Sequence, residues 1–448
     1  MKKVLTCVGG IALSCTCATT VFAGAVDNKT NWSAEYIRTL NRNAATDYAD
    51  IAAYNPAGTV KLTEGFSING SIQFLAKDYK NIINGSSYES DEPSYVPGIF
   101  GVYNKKKWSL FATLTNVGGG GKVDFSQGDF TTYKVGKGVA YQYDRGVDLQ
   151  VRQAIEESTG VDPGPAPIGT YYAGELTSQA LTAESYYLGY TFGGAYNFND
   201  MVSISLAARY VDATRKAEGS ITTTPTPTGE FVGATDVTAN VNYEQNGTGW
   251  TGIIGLNLAP NDVLNIGLRY EMKTNLDLKA KVKEGDAILA QQDIPIINGQ
   301  SNSRDLPALL GLGVSYRITP KLRTEVDLTY YFNENADWNG SENNVDNGYD
   351  LGVAFEYLFS DKLTGSIGYL YTKLGMDPQY MLPENPELDV NTIGGGIAYS
   401  FNEKFHTNIS IGNSFYRDDS FVSQSTGATV KYEKNIFFLA LGLEYRFL

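Results

Sequence analysis

The stretch FFLALGLEYRF at residues 437–447 alternates strictly between two kinds of side chain. A period of two is the signature of a β-strand with one apolar face. The same alternation occurs at residues 264–272, 322–331 and 351–359, so the pattern predicts an all-β protein. In the last stretch, one face carries the apolar and aromatic residues Phe437, Leu439, Leu441, Leu443, Tyr445 and Phe447.

Alternation alone fits either a soluble β-sandwich or a membrane β-barrel. Three observations favour the barrel. The polar faces carry charges of both signs, which suits a lumen lined by paired charges. The connections alternate between short and long, as periplasmic turns and extracellular loops do. Aromatic residues also gather at strand ends, as in the two interfacial girdles of a barrel: Trp108, Tyr270, Tyr330, Tyr369, Tyr371, Tyr399, Phe401, Tyr445 and Phe447.

The pattern predicts about 14 strands, an even number as in bacterial outer-membrane barrels. They lie near 65–78, 95–104, 107–117, 184–198, 201–218, 249–258, 262–282, 305–317, 320–333, 348–359, 362–374, 389–402, 404–418 and 433–448. The long connections are 79–94, 118–183, 219–248, 283–304, 334–347, 375–388 and 419–432. Within the longest of them, residues 148–158 are predicted to form a short helix. Both chain termini then lie on the periplasmic side.

The N-terminus has the composition of a secretion signal at residues 1–23. Lys2 and Lys3 precede an apolar run, and Val21-Phe22-Ala23 is a small-residue cleavage site. Cys7, Cys15 and Cys17, the cysteines of the 448-residue chain, all lie in this segment, so we expect no disulfide in the mature protein. An alternative, a lipoprotein acylated at Cys15, fits the flanking residues poorly.

The rest of the chain has no run of about 20 apolar residues, and its formal net charge of −14 argues against a nucleic-acid partner. We therefore expect a bacterial outer-membrane protein with a barrel at residues 63–448.

Residues 24–62, which we call the hatch, precede the first predicted strand. They are rich in Ala and Asn, carry both charge signs and contain the motif Asn55-Pro56-Ala57-Gly58. A 14-stranded barrel is too wide for its own side chains to fill. The hatch is therefore predicted to plug the lumen. The simpler interpretation of the motif is a turn before a strand, since Pro fixes φ and Gly permits a reversal.

The stretch DYADIAAYNPAG at residues 47–58 resembles the hatch signature of the outer-membrane long-chain fatty-acid and aromatic-hydrocarbon transporters of the FadL/TodX type. Residues 305–316 and 441–447 resemble strands of the same family. The similarity covers essentially the whole mature chain. It implies a 14-stranded antiparallel transmembrane β-barrel with an N-terminal hatch, and a monomer surrounded by outer-membrane lipid and lipopolysaccharide.

The resemblance also implies a route for hydrophobic ligands, either fatty acids or hydrocarbons. They would dock in a groove among the extracellular loops, pass to a pocket beside the hatch and leave sideways at a kink in the third strand. The lateral gate then falls on Asn116, Gly118, Gly119, Gly120 and Gly121. Consecutive glycines weaken a strand and permit a bend, although they would equally suit a flexible loop entry.

Arg38, Arg42, Arg269 and Arg323 are candidates to bind a ligand carboxylate in the lumen. The alternative is ordinary ion pairing with acidic groups such as Asp47, Asp50 or Glu325.

His406, the single histidine, shares a strand face with Asn408 and Ser410, which do not supply a catalytic triad. The sequence holds no metal-ligand cluster, P-loop or dinucleotide fingerprint, so we expect no enzyme, no metal and no cofactor. A general porin or a structural surface barrel remains the alternative to a transporter.

Overall fold

The structure is a computed structural model that describes residues 30–227, 236–291 and 296–447. The predicted signal segment lies outside these residues. The described strands are β1 (Gly65–Ile83), β2 (Ser86–Ser90), β3 (Ser94–Lys105), β4 (Trp108–Phe125), β5 (Tyr172–Asn197), β6 (Val202–Pro227), β7 (Val237–Asn261), β8 (Leu264–Glu271), β9 (Asp277–Glu284), β10 (Ser301–Ser303), β11 (Leu309–Thr319), β12 (Leu322–Tyr331), β13 (Gly348–Ser360), β14 (Leu363–Lys373), β15 (Val390–Ser400), β16 (Phe405–Tyr416), β17 (Asp419–Val422) and β18 (Thr429–Phe447).

The described α-helices are three short ones, α1 (Ala34–Thr39), α2 (Ile51–Tyr54) and α4 (Asp286–Gln291), and one long one, α3 (Phe130–Thr159). Single 3₁₀ turns occur at Pro56–Lys61, Asn333–Asn335, Ser341–Asn344 and Pro378–Tyr380. No helix among the described residues is long and apolar enough to cross a membrane.

The strands form one closed antiparallel sheet, because β18 pairs with β1 from Phe66↔Phe447 to Ile83↔Val430. Four crossings of the wall consist of two strands in succession, namely β2 with β3, β8 with β9, β10 with β11, and β16 with β17. The eighteen strands therefore make 14 crossings. The predicted all-β fold with a 14-stranded antiparallel barrel is confirmed.

The outer face of the barrel is apolar. Leu439, Leu441 and Leu443 of β18 are exposed, whereas Glu444 on the same strand is buried toward the lumen. This arrangement is the inverse of a soluble protein and is the one expected when lipid surrounds the wall. Aromatic pairs lie at two heights on this face, for example Tyr399–Phe401 at the turn end and Tyr210–Trp250 farther up β6 and β7.

The structure corrects several predicted strand ends on the loop side. β1 continues to Ile83 and turns directly into β2, so the predicted connection 79–94 is mostly strand. The predicted connection 118–183 shrinks because β4 runs to Phe125 and β5 begins at Tyr172. Similarly, β6 and β7 extend into the predicted connection 219–248. Above the lipid a strand no longer needs an apolar outer face, so the alternation used for prediction fades while the ladder continues.

Two other predictions were wrong in extent. The helix expected at 148–158 is α3, which spans thirty residues. It begins earlier because Asp129 and Thr132 form a reciprocal capping box, and it ends at Gly160 with φ of 73°. The single strand expected at 262–282 divides into β8 and β9.

Candidate functional site

Glycines on the lumen face of the wall bring the hatch backbone unusually close. A Cβ atom added at Gly368 would lie 1.9 Å from the carbonyl oxygen of Thr39, and one at Gly267 would lie 1.9 Å from that of Asn43. Gly98, Gly313 and Gly394 are in similar contact with the hatch backbone. Since only glycine permits such an approach, the wall is shaped to hold the hatch in one position.

Two carboxylates of β12 bind the turn that follows α1. Asp327 accepts hydrogen bonds from the backbone N–H groups of Arg42 (2.7 Å) and Asn43 (2.8 Å). Glu325 accepts one from the N–H of Ala44 at 2.9 Å. Backbone groups that no helix satisfies are therefore paired with the wall, which fixes the turn.

The Asn55-Pro56-Ala57-Gly58 motif anchors the hatch near the turn end of the barrel. The Asn55 side-chain amide donates to Asn257 Oδ1 at 2.8 Å, and Ser203 Oγ donates to the carbonyl of Ala57 at 2.7 Å. The N–H of Gly58 returns to the carbonyl of Asn55 at 2.9 Å. A side chain at Gly58 would collide with Asn55, since its Cβ would lie 2.5 Å from Nδ2. The motif is thus both a turn and an attachment point.

Three of the four candidate arginines meet at Asp47. The Asp47 carboxylate lies 2.7 Å from Arg42, 3.8 Å from Arg38 and 3.8 Å from Arg323. Arg38 and Arg323 also share Glu356 of β13. These contacts place each of the three guanidinium groups beside protein carboxylates that join hatch and wall.

The fourth candidate, Arg269, lies elsewhere in the lumen, beside Trp32. Arg269 and Arg209 lie on the indole ring of Trp32, with guanidinium carbons 5.7 and 5.5 Å from its centroid. Both arginines also pair with Glu271. Sequence reasoning did not identify Arg209, although its charge on the lumen face of a predicted strand was a visible signal.

The hydrogen-bonded ladder between β3 and β4 stops short of the loop end, although Ser94 still packs against Gly121 there. Their ladder runs from Lys105↔Trp108 to Ile99↔Leu114 and ends there. Ser94–Gly98 of β3 therefore faces Thr115–Gly121 of β4 without ladder pairs, and we call this gap the window. About five residues of extended chain span roughly 17 Å along the wall.

The cause of the window lies in both strands. From the Thr115↔Gly189 pair to the Lys122↔Glu184 pair, β4 advances seven residues (115 to 122) and β5 only five (189 to 184). β4 therefore carries two surplus residues, and Gly119 (φ 92°) and Gly121 (φ 73°) adopt the left-handed backbone that absorbs them. Pro97 of β3, which has no N–H, lies opposite the bend and was overlooked in the sequence.

The hatch covers the window from inside. Trp32 Nε1 donates to the carbonyl of Asn116 at 2.8 Å, where β4 leaves its ladder with β3. The carbonyl oxygen of Trp32 lies against Gly98 on the other side of the gap. The Asn116 side chain, in turn, accepts from the N–H of Tyr187 at 3.1 Å. Trp32 thus connects the plug to both edges of the window.

An apolar cavity lies under α3 at the loop end of the barrel. It encloses about 630 Å³ of empty space, including its open mouth. Its walls come from α3, the upper parts of β5, β6 and β7, and α4; they include Val135, Leu181, Ile221, Ala239, Val241 and Leu289. Glu384, from the connection between β14 and β15, is its charged wall residue.

Asp129, which caps α3 beside this cavity, is fully buried. Burial, together with the nearby charge of Glu384, raises the pKa of Asp129 to about 7. Burial also raises the pKa of Glu384. Burial therefore raises the pKa of both carboxyl groups, Glu384 in the cavity wall and Asp129 beside it.

His406 has a structural role in its hairpin. Its Nδ1 lies 2.8 Å from Ser400 Oγ, across the turn between β15 and β16. Asn408 donates to Glu35 of the hatch at 2.8 Å, and Ser410 donates to a hatch carbonyl at 2.7 Å. Within the described ranges, no group of three or more His, Cys, Asp or Glu residues is arranged to hold a metal ion.

Comparison with known proteins supports the resemblance noted in the sequence. Residues 170–447 match the family described as outer membrane protein transport protein (OMPP1/FadL/TodX). No curated protein matches the chain.

Three solved structures are similar in fold. A Pseudomonas aeruginosa FadL homologue has 12% identity and a TM-score of 0.62, covering 96% of this chain and 100% of its own. The Pseudomonas putida toluene transporter TodX has 14% identity and a TM-score of 0.60, with 93% and 98% covered. The Ralstonia pickettii toluene transporter TbuX has 14% identity and a TM-score of 0.56, with 91% and 97% covered. At such low identity these likenesses establish the barrel fold.

Proposed function

Because the chain belongs to the OMPP1/FadL/TodX family of outer membrane transport proteins, we propose that it takes up hydrophobic compounds passively across the outer membrane. It is a transport channel by family and not an enzyme. We place it in the membrane as a monomer, after removal of residues 1–23, with lipid and lipopolysaccharide around its wall. Apolar molecules need such a path because the charged lipopolysaccharide surface opposes their direct entry.

Capture begins in the apolar cavity under α3. Its aliphatic lining suits a ligand without strong polar groups, and burial of each ligand methylene contributes about 0.8 kcal/mol. The cavity lies at the loop end of the barrel, where a ligand arrives. The TodX and TbuX structures are those of toluene transporters, and the apolar lining of this cavity suits a monoaromatic hydrocarbon.

The exit is sideways through the window. The single observation that carries this proposal is the interrupted β3–β4 ladder with the hatch packed behind it. The axial path runs into the hatch, which is held by close glycine contacts and by carboxylates of β12. A ligand that passes Asn116 and Gly118–Gly121 leaves into the lipid without crossing an aqueous lumen.

The hatch couples entry of the ligand to its exit. Trp32 touches both edges of the window, so a ligand that displaces Trp32 opens the gap from inside. The motif Asn55-Pro56-Ala57-Gly58 stays attached to β6 and β7. The moving part is then Trp32 at the window, whereas the wall contacts of Thr39 and Asn43 and the motif keep the rest of the hatch fixed.

The surroundings of the arginines favour uncharged ligands. A fatty-acid carboxylate binding to Arg38, Arg42 or Arg323 would have to displace Asp47 or Glu356 from a buried ion pair, which is costly. We therefore propose hydrocarbons as the first ligand class and long-chain fatty acids as the second.

Uptake by purified protein in vesicles tests this function. Vesicles with the protein should accumulate labelled toluene or oleate faster than empty vesicles, with little ion current. A large steady current would instead identify a general porin. If the vesicles show neither uptake nor ion current, the remaining function is that of a structural surface barrel.

A further inference from the structure

Lys77 is a buried lysine on the lumen face of β1, where an ammonium charge is costly. Only 5% of its surface is exposed. Its ammonium group donates to the carbonyl oxygens of Gly120 (3.3 Å) and Lys122 in β4. Both acceptors belong to the bent part of β4. A methionine of similar length would fill the same volume without the desolvation cost of a buried amine, but it would leave both carbonyls without these donors.

These carbonyls lie where β4 has left its ladder with β3. In lipid an unpaired backbone group costs several kcal/mol, and irregular backbone persists only where other groups satisfy it. Lys77 supplies donors in place of the missing strand neighbour. Trp32 does the same at the lower end of the bend, through Asn116.

Other side chains hold β4 at the same height as Lys77. Ser90 Oγ accepts from the N–H of Asp124 at 2.9 Å, and Lys122 pairs with Glu92 at 2.9 Å. Together with Lys77 they form what we call the clasp. The window is therefore bounded by a backbone ladder below and by the side-chain clasp above.

We propose that Lys77 is a positioning residue that keeps β4 bent and so sets the upper edge of the window. This inference rests on the proposed lateral exit, but the geometry it concerns is independent of any ligand. Without Lys77, the carbonyls of Gly120 and Lys122 lose these donors, so β4 has less reason to stay bent and gains by pairing lower down with β3, which closes the window. Lys77 acts through β4 and not on the ligand.

Cysteine cross-linking tests the position of β4 directly. If the β3–β4 ladder continued beyond Ile99↔Leu114, Val96 would face Val117. In the pair Val96→Cys with Val117→Cys, adding Lys77→Met should speed disulfide formation about tenfold, the effect of losing one or two buried hydrogen bonds. Lys77→Arg, which retains donors, should restore the parental rate. The two single-cysteine variants are controls for other thiols.

The matched control is Lys80→Met, because Lys80 lies on the same strand with its ammonium on the outer face, 3.6 Å from Asp78. It should leave the cross-linking rate unchanged. Ser90→Ala weakens the clasp without removing a charge and should speed cross-linking about threefold, so it tests the clasp even if Lys77→Met does not fold. Uptake of toluene should fall as cross-linking rises.

An unchanged rate in both Lys77→Met and Ser90→Ala would overturn the role of the clasp. So would a Lys77→Arg variant that cross-links as fast as Lys77→Met. The cross-link needs no ligand. If it responds as expected while the parent protein transports no hydrophobic probe, the proposed function fails and the clasp stands.

Discussion

Replacing Gly368 by alanine should loosen the hatch without unfolding the barrel. The added Cβ would lie 1.9 Å from the oxygen and 2.4 Å from the carbon of the Thr39 carbonyl. A non-bonded carbon–oxygen contact needs about 3.3 Å, so the hatch backbone must move by roughly 1.4 Å. Both partners are backbone, so neither can turn aside as a flexible side chain would.

Overpacking of this kind costs about 1–3 kcal/mol. Because every 1.4 kcal/mol is a factor of ten, the displaced hatch should be populated about 5- to 150-fold more often. Conductance in a planar bilayer measures this, as openings become more frequent by that factor. Heat-modified mobility on a gel reports whether the barrel is still folded.

Gly70→Ala is the matched control, since Gly70 lies on β1 with no atom within 4 Å of an added Cβ. It should conduct like the parent protein. If folded Gly368→Ala also conducts like the parent, the close approach between wall and hatch does not hold the plug.

Three other predictions follow from particular contacts. Trp32→Phe removes the hydrogen bond to Asn116, which is worth about 1 kcal/mol. Amide hydrogen exchange in α1 should therefore accelerate about fivefold. Unchanged exchange would mean that Trp32 does not hold this part of the hatch. Ala217→Trp should fill the cavity under α3 and weaken toluene uptake at low concentration at least about tenfold. The control is Lys216→Trp, because Lys216 points outward on the same strand, and it should leave uptake unchanged. Equal effects of the two substitutions would exclude the cavity as the capture site. The pKa of Asp129 is raised from 3.8 to about 7 in the folded protein. Between these pH values the unfolded segment binds fewer protons than the folded one, so the folded segment loses stability as pH rises. The protection of α3 amides from exchange should therefore be highest near pH 4 and decline toward pH 7. Asp129→Asn should remove this decline, and a decline that persists would assign it to another group.

The sequence predicted the barrel well because lipid imposes a simple rule on each strand. Apolar residues must alternate outward across the membrane, as in Phe437–Phe447, and this pattern is visible without a structure. Above the membrane the rule no longer applies. The outer ends of β5, β6 and β7 carry Thr, Asn and charged residues, so their extent and the cavity they enclose could not be predicted.

The sequence indicated only part of the cause of the bend in β4. The glycine run at 118–121 indicated a weak point, and the structure places two surplus residues there. Pro97 lies on a different strand, and its position opposite the run depends on a register that the sequence does not reveal. The role of Lys77 was hidden for the same reason, since its partners Gly120 and Lys122 lie on a different strand.

The arginines show why the contacts of polar side chains could not be predicted from the sequence. The structure brings Arg38, Arg42 and Arg323 together around Asp47, and this shared partner depends on how the hatch folds. Asp47 lies between them because the chain turns back after α1. Charge alone on a lumen face did not distinguish a ligand site from an ion pair.

Uptake by a variant that lacks Gly119 and Gly120 tests the lateral exit most directly. The deletion removes the two surplus residues of β4, so the strand should pair with β3 throughout and close the window. Deleting Pro163 and Gly164 from the connection after α3 is the control of equal length. We expect toluene uptake to fall to the level of empty vesicles in the first variant and to stay at the parental level in the second. A folded Gly119–Gly120 deletion whose β4 is straight, and which still takes up toluene at the parental rate, would contradict the lateral exit.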